Sequence, residues 1–248
     1  VNDMTNSGEV SDVKQVAFQV TGFKSALSSP DSPERAVVSL QSLAFYLVVA
    51  TVAVGGHYPA YKEIFVSADE IFVVPIVEQL VSEETRVVMS WSHTENLDLY
   101  AYSGDLSQKS YPGSTGFSIP MGGGSAIMIK DDIEGPGVET ILFKSIISDT
   151  ITIWVSHDIA HQKHQIGTTP ASVDVFCQAC MHDGVSKTGF VTTVTQQASE
   201  VPVSGAKWWK VGQFVAWYSG GLTWESCQGQ SCYNGAAVPV PPMISVSF

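Results

Sequence analysis

The chain has 248 residues, 44 % of them hydrophobic, which is enough for a packed core in one large or two small domains. Twelve Lys and Arg stand against 24 Asp and Glu, a net charge of -12, so phosphate backbones and anionic lipid surfaces repel it and nucleic acid is excluded as its natural partner. Only 15 % of the residues are charged, below the usual share of about a quarter, while Val, Ser, Thr and Gly abound, a balance that suits pleated sheets. The expected fold class is all-β.

Residues 1–12, "VNDMTNSGEVSD", are polar and acidic without a period and are expected as a flexible tail. The next stretch, "VKQVAFQVTGF", brings Val16, Phe18 and Val20 onto one face at a spacing of two, which predicts a strand over residues 13–22. "SALSSPDSPER" has the composition of a loop. The run from Ala36 to Gly56 is 21 residues long and uncharged, so a membrane span has to be weighed. Ser39, Gln41, Ser42 and Thr51 dilute it and Val dominates its second half, which favours two buried strands joined near residues 41–44. The chain is therefore expected not to span a membrane.

Strands are then predicted at "EIFVSADE", "IFVVPIVEQL", "TRVVMSWS", "LDLYAYS", "SAIMIKDD", "ETILFKSI", "TITIWVSH", "SVDVFCQ", "GFVTTVTQ" and "KWWKVGQFVAWYS". Turn residues recur about every eight to twelve positions, the rhythm of sandwiches. Apolar residues nowhere sustain a 3.6 period beyond about two turns, and no internal repeat emerges.

In order along the chain, "SWSHTENLDLYAY" (Ser90 to Tyr102), "IKDDIEGPGVETILF" (Ile129 to Phe143), "ITIWVSHD" (Ile151 to Asp158), "SVDVFC" and "KWWKVGQF" resemble the YfaP-type β-sandwich domain over roughly residues 86–217. Asn96 stands where that pattern often has an acid, and "GPGVE" reorders its glycine and proline. Residues 16–80 are similar to a transthyretin-like module of the carboxypeptidase-regulatory kind, through "AVVSL" and "ATVAVGGHY". The resemblance implies two β-sandwich domains in tandem, residues 13–83 and 84–248, on a secreted or cell-surface protein, without implying an activity.

"WVSHDIAHQKHQ" places His157, His161 and His164 together, and "HDIAH" has the spacing of a zinc-protease helix. That chemistry needs a Glu between the histidines as general base, where this chain has Asp158 and Ile159 to Ala160. "TITIWVSH" alternates Ile151, Ile153 and Val155 toward a core, which puts His157 at a strand end and the other two in the loop that follows. The alternatives are a solvated loop and a weak surface metal site.

The carboxylates Asp98, Asp131, Asp132, Glu134 and Glu139 are the candidate calcium ligands, because calcium takes six to eight oxygens and an acidic Gly- and Pro-rich turn beside an Asp-bearing strand supplies such groups. The plain alternative is an acidic turn facing water. Cys177, Cys180, Cys227 and Cys232 are read as two disulfides of undetermined pairing in an oxidising compartment, with four zinc thiolates or a redox pair as the alternatives. A secreted or surface location follows, with a leader expected to be already removed ahead of Val1. Trp208, Trp209, Trp217 and Trp224 would suit glycan stacking, although alternation in "KWWKVGQF" turns Trp208 and Trp209 to opposite sides.

The favoured function is a non-enzymatic secreted structural protein that self-associates into an oligomer or fibre, with the strand carrying Val16, Phe18 and Val20 donated to a neighbour. The alternative is a calcium-assisted module binding glycans or matrix.

Overall fold

The computed structural model of the protein describes residues 16–20, 25–27, 44–52, 56–58, 60–66, 73–75, 77–104, 109–116, 118–121, 123–133, 135–147, 150–157, 171–196, 206–217 and 221–234. Among these residues every regular element is a strand, apart from one 3-10 turn at Gln230–Cys232, so the all-β expectation holds. None of them forms a helix long and apolar enough to cross a membrane.

The first strands are β1 (Val16–Val20), β2 (Ser25–Leu27), β3 (Ala44–Val52), β4 (His57–Tyr58) and β5 (Ala60–Val66). Four of them form an antiparallel sheet in the order β2-β1-β3-β5, with Val16 opposite Val52 and Val20 opposite Val48. β3 is the second half of the long apolar run, whose residues 36–43 lie outside the described ones, as do residues 1–12. A strand was expected over residues 71–80, but among the described residues of that stretch only Val77–Glu78 is strand (β6), paired with β4. Pro75 explains the correction: it has no N–H to give a ladder, so Val73–Pro75 runs as buried irregular chain instead.

The remaining strands are β7 (Glu84–Trp91), β8 (Leu97–Ser103), β9 (Lys109–Ser110), β10 (Ser118–Met121), β11 (Gly124–Lys130), β12 (Gly137–Lys144), β13 (Thr150–His157), β14 (Ala171–His182), β15 (Val185–Thr195), β16 (Trp208–Ala216), β17 (Leu222–Ser226) and β18 (Tyr233–Asn234). They make one sheet in the order β10-β11-β12-β7-β14-β17-β16-β13-β8-β9, with β15 added on β14 and β18 on β16. β14 joins its two halves. Residues 171–177 of β14 pair with β7, whereas Met181 pairs in parallel with Thr223 of β17. Between those contacts the register slips from Cys177 to Cys180, a bulge that bends the strand.

The bend lets the halves face each other across one core. Side chains at a spacing of two fill it: Val87, Met89 and Trp91 from β7, and Ile151, Ile153 and Val155 from β13 as the sequence pattern predicts. The outer faces are covered too. Val88, Val138 and Phe176 lie under Val73, Val77, Leu80 and Tyr58, and on the other half Tyr100, Tyr102 and Trp208 form a second cluster with Trp154. An antiparallel sheet commonly leaves one face to water, but β7 and β8 are buried along their whole length. β14 and β15 meet in a two-residue hairpin at Asp183 (φ 50°) and Gly184 (φ 74°), the left-handed pair that a tight primed turn requires.

Candidate functional site

The acidic residues gather where β8, the end of β11 and the start of β12 come together. Glu139 stands two residues before Ile141 and four before Phe143, so the pleat of β12 aims it at the core rather than at water, and it is fully buried. Its Oε2 accepts the N–H of Leu99 at 2.6 Å, a main-chain donor on β8 beyond the reach of β9, which pairs only at Ala101 and Tyr102. Its Oε1 is buried and has no donor. Burial first, then the charges of Asp98 and Asp131, push the Glu139 carboxyl well above the usual carboxylate range.

Asp98 is itself buried, accepting from Asn96 Nδ2 at 3.2 Å and from the Tyr100 hydroxyl at 3.3 Å. Burial and then the Asp98 charge hold the Tyr100 phenol in its protonated, donating form. Asp131 is half-buried, with Oδ2 accepting from Gly113 N–H at 2.9 Å and Oδ1 buried without a donor. Its carboxyl also lies within hydrogen-bonding reach of Glu139. Asp132 belongs to a different arrangement, accepting from Val138 N–H at 2.8 Å beside the ammonium of Lys130 at 3.3 Å. Glu134 lies outside the described residues. Among the described residues no three carboxyl, thiol or imidazole groups already converge at metal-ligand distance.

The turn that carries these acids is held closely. A side chain at Gly135 would run into the carbonyl oxygens of His93 and Glu95 and the indole of Trp91, so only glycine lets the turn seat there. Trp91 Nε1 in turn donates to Glu95 O at 2.7 Å.

His157 is the last residue of β13, paired with Leu97, so it ends a strand as the alternation predicts. His161 and His164 lie outside the described residues. Cys227 and Cys232 form a disulfide, whereas Cys177 and Cys180 are buried free thiols at the bulge of β14, within hydrogen-bonding reach of each other. Trp209 and Trp224 are core, Trp208 belongs to the outer aromatic cluster, and Trp217 is exposed with Nε1 donating to Thr223 Oγ1 at 3.1 Å. Arg86 lies in no sequence motif, yet it is a buried cation whose pKa burial lowers and the charges of Glu84 and Glu78 partly restore.

One further feature lies on the sheet's rim. β15 is an eleven-residue strand whose partner among the described residues is β14 alone. Val185 and Phe190 are 54 % and 49 % exposed along it, and Lys187 is its one charged residue.

No family model matches the chain, and no curated protein is similar to it in sequence. Among solved structures it is similar to a protein described as "unknown function protein SAV2460", at 12 % identity and a TM-score of 0.39, over 59 % of this chain and 89 % of that one.

Proposed function

We propose that the protein is a non-catalytic structural subunit of an extracellular or cell-surface assembly whose copies join through strand edges. The observation that carries this reading is β15. Folded proteins guard long edge strands with charges, prolines or covering segments, because an open ladder recruits another strand. β15 has one lysine, no proline, and exposed apolar groups at Val185 and Phe190. Main-chain ladders give such an edge affinity, and side chains at alternate positions give it selectivity.

The strand bearing Val16, Phe18 and Val20 is the donor in this proposal. It lies between β2 and β3 of its own chain, in a register that the same strand from a neighbouring copy would reproduce. Residues 13–83 and 84–248 serve as two sandwich domains in tandem, the first giving and receiving that strand and the second offering β15. The disulfide Cys227–Cys232 and the resemblance to YfaP-type and transthyretin-like modules support an oxidising, exterior location.

Sedimentation and electron microscopy test the proposal on three proteins: the full chain, a chain lacking residues 1–22, and a chain carrying Val185→Lys with Phe190→Lys. The full chain forms oligomers or fibres, and both variants stay folded with assembly lost or shortened. A full chain that remains monomeric at all concentrations, or variants that assemble as well as it does, overturns the reading.

A further inference from the structure

In an unbroken strand, residues three apart point to opposite faces, so a regular β14 would put Cys177 and Cys180 on different sides of the sheet. Both belong to the core instead. The bulge accounts for this. Cys177 stands opposite Gly189 of β15 and Cys180 opposite Lys187, so Gln178 and Ala179 together occupy the space opposite the single Thr188. The extra residue returns Cys180 to the inward phase. It also shortens the step between the two Cα atoms from about 10 Å to about 6.6 Å, two strand rises instead of three. Disulfides span Cα separations of about 4.4–6.8 Å. The two thiols already lie within hydrogen-bonding reach of each other.

We propose that Cys177 and Cys180 close a second intrachain disulfide, which staples the corner of β14 where the sheet passes from one half to the other. Cys177 is the last residue of β14 paired with β7, and Met181, next to Cys180, is the residue paired with β17. A bridge across the bulge therefore fixes the bend on which the facing of the two halves depends. The reaction is thiol–disulfide exchange with a low-molecular-weight disulfide such as oxidised glutathione. The thiolate of one cysteine attacks a sulfur of the donor and releases the first thiol, and the other cysteine then attacks the mixed disulfide and releases the second. Two electrons pass from the cysteines to the donor, whose S–S bond breaks as the new one forms, and the two cysteine protons end on the released thiols. Both sulfurs are buried in the folded chain, so the exchange belongs to folding, before the core is sealed. Two thiols are half of a structural zinc set, and among the described residues no third carboxyl, thiol or imidazole joins them at metal-ligand distance. The bridge does not depend on how copies of the chain associate.

Refolding tests the proposal. The full chain, reduced and unfolded, is refolded in a mixture of oxidised and reduced glutathione, quenched with acid, alkylated in denaturant and mapped by mass spectrometry. The expected map links Cys177 to Cys180 and Cys227 to Cys232 and shows no alkylated cysteine. The variant Cys227→Ser with Cys232→Ser retains the Cys177–Cys180 link, and Cys180→Ala leaves Cys177 alkylated or carrying glutathione. In the double-serine variant only the proposed bridge can differ between redox states. Its oxidised form should unfold about 2–4 °C above the form held in a phosphine reductant. Alkylated Cys177 and Cys180 in a wild type whose Cys227–Cys232 bridge has formed overturn the proposal, as do links that cross between the two pairs. An oxidised double-serine variant no more stable than its reduced form overturns the stapling role. The wild-type map decides alone if that variant does not fold.

Discussion

β7 and β15 lie on opposite edges of the same strand, β14, and have opposite fates. β7 passes its other edge to β12, turns Val87, Met89 and Trp91 into the core, and has its outer face covered by Val73, Val77 and Leu80. β15 has no strand beyond it among the described residues, and Val185 and Phe190 on it are half-exposed. Both strands are rich in β-branched and aromatic residues, so intrinsic preference does not separate them. Neighbours do. Under the proposed function the covered strand carries stability and the other carries contact, and mutations at the two should register in different measurements.

The largest effect belongs to β7. Trp91→Ala removes a fully buried ring and the bond from Nε1 to Glu95 O, and should cost about 3–5 kcal/mol in denaturant unfolding. Phe190→Ala on β15, already half-exposed, should cost under about 1 kcal/mol. Equal costs would erase the distinction between the strands.

Next comes the disulfide. Replacing Cys227 and Cys232 together by Ser opens a loop of sequence separation 5 and should lower stability by about 2 kcal/mol, with no change in the spectroscopic signature of the core.

A pH series isolates Glu139. Its folded pKa is raised by burial and by Asp98 and Asp131, so the folded protein holds this proton more tightly than the unfolded chain does. The stability it contributes is therefore present below the ordinary carboxylate pKa of about 4.3 and is lost as pH climbs through the raised value. The wild type should lose stability relative to Glu139→Gln over that rise, and a constant difference between the two would show that Glu139 titrates normally.

The smallest effect on folding should come from Val185→Lys with Phe190→Lys, about 0.5 kcal/mol in unfolding, because both positions are exposed. A loss of several kcal/mol would mean that β15 is covered within its own chain.

Much of this fold can be read in the sequence because its strands alternate cleanly. "TITIWVSH" and "LDLYAYS" coincide with β13 and β8, since a period of two admits one inward face. Residues 71–80 have the Val and Ile content of a strand, but Pro75 has no N–H to give a ladder, and Val73–Pro75 is irregular. The hairpin after β14 has its own sequence signal, Asp183-Gly184 between two β-rich runs.

The acidic site was legible in its membership more than in its structure. Glu139 shares a phase with Ile141 and Phe143, and that phase alone marks it as a carboxylate aimed at a core rather than a turn residue in water. The covering of β7 by Val73, Val77 and Leu80 had no local signature, because it arises from segments that meet only in the folded chain.

Amide hydrogen exchange followed across a concentration series, from dispersed to associated protein, compares the two edges of β14 most directly. The account predicts that β7 amides are protected throughout and that the β15 amides pointing away from β14 become protected only as copies associate. Exchange at those outward amides that stays fast in associated material, or that is already slow in the dispersed monomer, would contradict it.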